Sequence, residues 1–179
     1  KPVSRAADNF LVVGDMPFLS YETGVEQALA NAGRMVKEGG VRAVKVESST
    51  GVLPQVRAMV RAGIPVMGHV GLTPQRIAEL GGFKVQAKSA QAAKILIEDA
   101  QKLEEAGCFS IVVEAIPAPI ARMVTEAVAI PTIGIGAGVD CDGQVLVLHD
   151  ILGLFERFTP KFVKQYAQQG KEALAAMEQ

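Results

Sequence analysis

Titratable residues follow four short apolar runs of the sequence, each close to the point where the run ends. Asp15 follows Leu-Val-Val-Gly, Lys45 and Glu47 close Val-Arg-Ala-Val-Lys-Val-Glu, His69 follows Val-Met-Gly, and Glu114 follows Ser-Ile-Val-Val. If these runs are parallel strands, their carboxyl ends meet at one edge, where active sites form in parallel sheets and barrels. The pattern therefore predicts an enzyme with one site built from these residues.

Lys45 and Glu47 are two residues apart on a predicted strand, so both side chains point to the same face. Two charges that face inward are costly unless they are paired or bind something. One interpretation is a functional cation and carboxylate at the mouth of a barrel. The other is an ion pair, Lys45–Glu47 or Lys45–Asp15, that only closes the top of the barrel.

The carboxylates of Asp15 and Glu47 are hard oxygen donors, which suit Mg²⁺ or a similar divalent cation. Such ions are usually held by one or two carboxylates, with substrate and water completing the coordination. Asp15 could instead be a turn or helix-capping residue, although no helix is predicted to begin directly after it.

Glu114 and His69 are candidates for proton transfer. Glu114 lies between Val113 and Ala115, and an apolar setting raises the pKa of a carboxylate and makes it a better base near neutral pH. A buried acid with satisfied hydrogen bonds is the alternative. His69 could be a ligand, an acid or base, or a packed polar residue; no second histidine has metal-binding spacing, which argues against a zinc site.

The elements that must position these residues alternate between strand and helix. Predicted strands cover 10–15, 41–47, 64–69, 109–114, 130–135 and 144–148, and predicted helices cover 22–37, 51–62, 74–80, 90–106 and 117–127, with a final helix from Thr159-Pro160 toward Met177. The strands are apolar on both faces, which is typical of parallel strands covered on both sides. The pattern predicts an α/β fold, either an open sheet or a barrel, in one domain over residues 1–179.

Composition excludes several functions. The 179 residues carry a net charge of −1 and no run of Lys or Arg, so a nucleic-acid footprint is absent. No apolar stretch approaches the roughly 18–20 residues that span a bilayer, and the first residues do not resemble a signal peptide. Cys108 and Cys141 are too far apart for a CxxC motif, which favours a reducing cytosol. We therefore expect a cytoplasmic protein without membrane or nucleic-acid partners.

A series of motifs closely resembles the ketopantoate hydroxymethyltransferase (3-methyl-2-oxobutanoate hydroxymethyltransferase) family. The motifs are, in order, Asp15-Met-Pro-Phe, Val44-Lys-Val-Glu47, Gly68-His-Val-Gly-Leu-Thr-Pro-Gln75, Gly82-Phe-Lys-Val-Gln86, Val113-Glu-Ala-Ile-Pro117, Ile130-Pro-Thr-Ile-Gly-Ile-Gly-Ala-Gly138 and Asp142-Gly-Gln-Val-Leu-Val-Leu-His-Asp150. One such motif alone would be weak evidence for the family. This series of motifs in this order is highly specific for it and spans nearly the whole chain.

The resemblance implies a parallel (β/α)₈ TIM barrel of the phosphoenolpyruvate/pyruvate type, of which about two N-terminal βα units would be missing here. It implies transfer of a hydroxymethyl group from the cosubstrate 5,10-methylenetetrahydrofolate to 3-methyl-2-oxobutanoate through a Mg-stabilised enolate. The product would be 2-dehydropantoate, in pantothenate biosynthesis. A homo-oligomer is also expected.

The resemblance also implies roles for single residues. Asp15 and Glu47 match magnesium ligands, and Asp15 also approaches the keto acid. Lys45 matches a substrate-binding cation, His69 a histidine that lines the substrate site, and Glu114 the proton acceptor. The family has an earlier Gly-Asp-Ser turn, with a further metal ligand, which this sequence does not contain.

Two rival functions remain open at this point. A metal-dependent C–C lyase or aldolase on the same barrel would share the metal but need no folate. A barrel fragment whose charges only close its mouth would be an assembly or binding piece rather than an enzyme.

Overall fold

The computed structural model describes residues 1–7, 9–47, 51–76, 82, 84–155 and 157–178. The chain divides into two compact units, Lys1–Gly143 and Gln144–Gln179. The assignment of 1–179 to a single domain stays a prediction.

The first unit alternates strands with helices, as the sequence predicts. Its strands are β1 (Val13–Asp15), β2 (Ala43–Lys45), β3 (Val66–Gly71), β4 (Ser110–Glu114), β5 (Thr132–Ile135) and, reaching the unit boundary, β6 (Gly143–Gln144). Its helices are α1 (Pro2–Ala6), α2 (Val25–Lys37), α3 (Leu53–Arg61), α4 (Ala90–Glu105) and α5 (Ala118–Ala127), with a 3₁₀ helix over Pro74–Arg76. The remainder of the helix predicted over 74–80 lies outside the described residues.

The described strands form one sheet in chain order, from β1 to β6, and the four pairings from β1 to β5 are parallel. Asp15 is in register with Lys45, and Gly71 with Glu114. The carboxyl ends of these strands therefore share one edge of the sheet.

Helix α4 shows how the sequence specifies these elements. The Ser89 side chain caps its first turn by accepting a hydrogen bond from the Ala92 N–H at 3.2 Å. The residues predicted to form its apolar face are the buried ones, namely Ala93, Leu96, Ala100 and Leu103. They pack in the main core with Val44, Val46, Ile111 and Val113 from one face of the sheet.

The opposite face of the sheet carries a second, smaller apolar cluster. Met67, Val112 and Ile135 are its buried members, and Val13 packs against them. Residues two apart on a strand share a face. Asp15, His69 and Glu114 each lie two residues beyond Val13, Met67 and Val112, so they extend this face toward the carboxyl edge.

Strand β3 differs from its predicted bounds of 64–69. It begins at Val66, since Pro65 has no N–H to donate to a strand ladder. It continues to Gly71, since it pairs with β4 over the five residues from Met67 to Gly71. His69 therefore lies inside the strand rather than at its end.

The second unit corrects two further predictions. The strand predicted over 144–148 is only Gly143–Gln144, and Leu148–Ile151 forms the short helix α6. The final helix, α7, covers Gln169–Met177 and does not begin at Pro160. Residues 166–170 instead make backbone hydrogen bonds to residues 151–153, such as Tyr166 N–H to the Ile151 carbonyl at 2.7 Å.

Within the described residues, no helix is both long and apolar enough to cross a membrane. Cys108 is a buried free thiol in the main core, and Cys141 is a partly buried one. Both cysteines pack against apolar neighbours.

Candidate active site

An ion pair joins the ends of the first two strands. The register of β1 and β2 places Asp15 beside Lys45, and the Lys45 Nζ lies 2.9 Å from the Asp15 Oδ1. The Lys45 side chain is 16% exposed and that of Asp15 is 57% exposed. The Lys45–Asp15 contact that the sequence left open is therefore present, and it leaves the Asp15 carboxylate accessible.

Lys45 also contacts the next strand. Its Nζ lies 3.2 Å from the Nδ1 of His69. A protonated lysine can only donate, so Nδ1 accepts this hydrogen bond. The proton of a neutral His69 ring must then be on Nε2.

The Nε2 of His69 faces the end of the fourth strand, 3.1 Å from the Glu114 Oε2. This close pair is not an aligned hydrogen bond, because Nε2 is buried without a hydrogen-bond partner. His69 itself is only 2% exposed. Catalytic hydrogen bonds are often poorly aligned before substrate binds. Asp15, Lys45, His69 and Glu114 thus form a continuous line of charged and polar contacts across four adjacent strands.

Glu47 lies beside this line in a buried position. It is 3% exposed, and its Oε1 is 4.0 Å from the His69 Nδ1. Burial raises the pKa of Glu47, and the Asp15 charge raises it further. The Gln75 N–H, His69 and Lys45 act in the opposite direction. The carboxylate is therefore held where its negative charge is costly unless a cation or proton offsets it.

Tyr21 and Gln75 hold Glu47, and the sequence predicts a role for neither residue. The Gln75 N–H donates to the two Glu47 carboxylate oxygens at 3.1 and 3.3 Å. The Tyr21 hydroxyl accepts from the Glu47 N–H at 3.1 Å and donates to the Gln75 Oε1 at 3.3 Å. Burial raises the pKa of Tyr21, so its hydroxyl stays neutral. Gln75 ends one of the quoted motifs, whereas no signal in the sequence marks Tyr21.

A cavity of about 200 Å³ borders Glu47 on this side. It is lined by Phe18, Tyr21, Glu22, Glu47, Val52 and Arg76. Most of these residues follow the carboxyl ends of β1, β2 and β3, so the cavity opens at the predicted edge.

The backbone around Glu114 is tightly constrained. Ala115 has a φ of 48°, and its N–H donates to the Ile135 carbonyl at 2.9 Å. Its carbonyl accepts from the Gln86 N–H at 2.9 Å. Gly71, with a φ of 94°, lies so close that a Cβ there would overlap the Glu114 carbonyl oxygen. Glu114 is therefore fixed by contacts from three segments.

The described residues contain no group of three or more His, Cys, Asp or Glu side chains arranged to hold a metal ion. Asp15 and Glu47 nevertheless supply two carboxylates, which is as many as a protein usually gives to Mg²⁺. The raised pKa of Glu47 indicates a carboxylate that a cation would stabilise. The donor chemistry of the pair therefore fits a hard divalent cation.

Two solved structures from Burkholderia cenocepacia J2315 are similar in fold. A candidate phosphonomutase has a TM-score of 0.54 at 16% identity, over 74% of this chain and 56% of that one. A candidate lyase/mutase has a TM-score of 0.50 at 19% identity, over 97% of this chain and 60% of that one. The parallel strands and these two likenesses confirm the predicted fold class, a parallel α/β fold of the TIM-barrel type.

The family model described as ketopantoate hydroxymethyltransferase matches residues 1–179. A relative from Syntrophobacter fumaroxidans, named 3-methyl-2-oxobutanoate hydroxymethyltransferase, is 66% identical over 96% of this chain and 62% of its own length. A relative of the same name from Oleidesulfovibrio alaskensis is 63% identical over 100% of this chain and 62% of its own length. This chain thus spans a little under two thirds of each of these relatives. It belongs to the ketopantoate hydroxymethyltransferase family.

Proposed function

We propose that the protein transfers a hydroxymethyl group from 5,10-methylenetetrahydrofolate to 3-methyl-2-oxobutanoate, giving 2-dehydropantoate for pantothenate biosynthesis. The single observation that carries the proposal is the line from Asp15 through Lys45 and His69 to Glu114, on one face at the carboxyl edge of the sheet. The names of the relatives supply the acceptor, 3-methyl-2-oxobutanoate, and the group that is transferred, a hydroxymethyl group. In this proposal the protein acts in the cytoplasm as a homo-oligomer.

The keto acid would bind between two sources of positive charge. Asp15 and Glu47 would hold a divalent cation such as Mg²⁺, which when bound would polarise the oxygens of the keto acid and acidify its C3 proton. Lys45 would place its ammonium group at the same oxygens, in a site where burial strengthens the attraction. Its contacts with Asp15 and His69 already hold the Nζ at this face.

Glu114 would take the C3 proton. Its carboxylate is held at the end of β4 by the constrained backbone at Ala115, and such a positioned base contributes roughly 10²–10⁴-fold to a rate. The adjacent Nε2–H of His69 would orient this carboxylate. The keto-acid carbon that has lost its proton would then form the new C–C bond with the one-carbon unit, whose two C–N bonds to the folate break. Water would supply the hydroxyl group, and tetrahydrofolate would leave with the proton that Glu114 removed and the second proton of the water.

The test is exchange of the C3 proton of 3-methyl-2-oxobutanoate in D₂O, followed by NMR without folate. Glu114→Gln should slow this exchange by about 100-fold or more while Mn²⁺ and keto-acid binding are kept. Glu126→Gln, an exposed change on α5, is the matched control and should exchange like the parent protein. Unchanged exchange in Glu114→Gln would show that Glu114 is not the base. Turnover of another aldehyde without folate would instead favour a lyase or aldolase.

A further inference from the structure

Gln75 contacts three residues in two other segments at the edge of the sheet. Its backbone N–H donates to the Glu47 carboxylate, its side-chain Nε2 donates to the Met16 carbonyl at 2.8 Å, and its Oε1 accepts from Tyr21. Every polar group that Gln75 directs to this region is therefore used to join the loop after β1 to the end of β2.

Tyr21 closes a ring of hydrogen bonds around Glu47. The Glu47 N–H donates to the Tyr21 hydroxyl, the hydroxyl donates to Gln75, and the Gln75 N–H returns to the Glu47 carboxylate. Tyr21 is only 1% exposed, so water does not compete for these bonds. Glu47 is consequently held through both its backbone and its side chain.

Met16 extends the ring to Asp15. Met16 follows Asp15 directly and is fully buried, and its N–H donates to the Lys45 carbonyl at 3.0 Å. Its carbonyl accepts from Gln75. The peptide groups on both sides of Met16 are thus fixed, and the backbone that carries Asp15 is fixed relative to Glu47.

We infer that Gln75 and Tyr21 are positioning residues that fix the Glu47 carboxylate relative to the backbone that carries Asp15 before any cation binds. This inference rests on the proposed function, since it takes these carboxylates to be the cation ligands. Without the ring, the loop that carries Asp15 and the end of β2 would be free to separate and would have to be brought together on binding. A ring formed in advance removes that cost, which is how groups behind metal ligands strengthen binding.

The experiment is a Mn²⁺ titration of the full-length protein without substrate, read by electron paramagnetic resonance. Gln75→Met removes the side-chain amide and keeps the backbone N–H, whereas Tyr21→Phe removes only the hydroxyl. Each change should weaken Mn²⁺ binding by about 10–100-fold. The matched controls are Gln101→Met and Tyr166→Phe. Gln101→Met loses an exposed hydrogen bond from its side-chain amide to the Ala127 carbonyl, and Tyr166→Phe changes an exposed tyrosine. Both controls should bind Mn²⁺ like the parent protein.

A thermal melt of each metal-free variant separates positioning from folding. If Gln75→Met and Tyr21→Phe melt at lower temperature but bind Mn²⁺ as tightly as the parent, the ring only stabilises the fold and the inference is wrong. If one variant does not fold, the other decides. If the parent protein itself binds no Mn²⁺, both the proposed metal site and the inference are wrong. If every variant binds Mn²⁺ as tightly as the parent, only the inference is wrong.

Discussion

Two carboxylates at opposite edges of the sheet show opposite shifts in pKa. Glu47 follows the carboxyl end of β2, and its pKa is raised. Asp142 binds Thr132, the first residue of β5, by accepting from its N–H at 2.8 Å and its hydroxyl at 2.9 Å. These two hydrogen bonds lower the pKa of Asp142. Both acids accept a backbone N–H, so hydrogen bonding alone does not explain the difference.

Burial decides between them. Asp142 is exposed, so its charge stays hydrated and its hydrogen bonds favour the ionised form. Glu47 is buried, and the loss of hydration outweighs its hydrogen bonds. The amino edge thus carries an acid that stabilises the fold, and the carboxyl edge carries one that costs stability when it is charged. A group kept at such a cost is typical of a functional site.

The largest expected effect is a loss of turnover when a charged residue at the carboxyl edge of the sheet is replaced. Lys45→Met should lower turnover by about 10²-fold or more, because it removes a positive charge from a partly buried site. It should also lower the free energy of unfolding by about 1–3 kcal/mol, because the buried Nδ1 of His69 loses its hydrogen bond, whereas the largely exposed Asp15 remains hydrated. Lys102→Met, which removes a surface pair with Asp99 on α4, is the control for the loss of one lysine. Initial rates and urea unfolding of both variants provide the check, and a turnover for Lys45→Met close to that of the control would contradict the role of the carboxyl edge.

A backbone change tests how rigidly that edge is built. Gly71→Ala should lower the free energy of unfolding by about 1–3 kcal/mol, because it adds strain at a φ of 94° and forces a Cβ against the Glu114 carbonyl. Gly24→Ala is the control, since its φ is also positive but no atom lies within 4 Å of the added Cβ. The excess destabilisation of Gly71→Ala over Gly24→Ala, measured by urea unfolding, isolates the overlap with Glu114. If the two variants lost the same free energy of unfolding, the close approach of Gly71 to the Glu114 carbonyl would not constrain the backbone.

The smallest effect is a difference in pH dependence between the two acids. The folded pKa of Glu47 lies above its ordinary value of 4.5, so its contribution to stability is complete below that value and is lost as pH rises through the folded pKa. In metal-free protein, Glu47→Gln should therefore gain stability relative to the parent as pH rises. The folded pKa of Asp142 lies below its ordinary value of 3.8, so its contribution is present above 3.8 and is lost as pH falls through the folded pKa. Asp142→Asn should therefore lose stability relative to the parent as pH rises.

Urea unfolding of the parent and both variants across acidic and neutral pH measures the free energy of unfolding of each protein. The slope against pH of the difference between each variant and the parent is then compared. Gln101→Met serves as the control, because it removes no titratable group, so its stability relative to the parent should not depend on pH. Slopes of the same sign for Glu47→Gln and Asp142→Asn would contradict the comparison.

The sequence predicts the strand-end positions of Asp15, Lys45 and Glu114 well. Each follows a run that is apolar on both faces, and the period of two along a strand fixes which face each residue shares with its neighbours. The roles of these residues stay predictions. The contacts of His69 with Lys45 and Glu114 could not be predicted, because they depend on the register between β2, β3 and β4 and on the direction of a ring nitrogen.

The hydrogen-bonded ring of Tyr21, Gln75 and Glu47 could not be predicted from the sequence, for a different reason. Its hydrogen bonds join loops that are distant in sequence, and nothing local specifies those loop conformations. The start of the last helix could not be predicted for a similar reason. Residues 166–170 make backbone hydrogen bonds to residues 151–153, and no local pattern after Pro160 specifies those contacts.

The chain order of the strands has a consequence for how the site assembles during folding. Each contact in the line from Asp15 to Glu114 joins strands that are neighbours both in the sheet and in the chain. No contact in the line depends on a strand from a distant part of the sequence. Each pairing closes a shorter loop than a pairing between strands farther apart in the chain, so it costs less loop-closure entropy. A change at the end of one strand would alter one side chain of the line while the neighbouring strands keep their scaffold. Modular replacement of this kind offers a route by which one sheet could acquire new reactions.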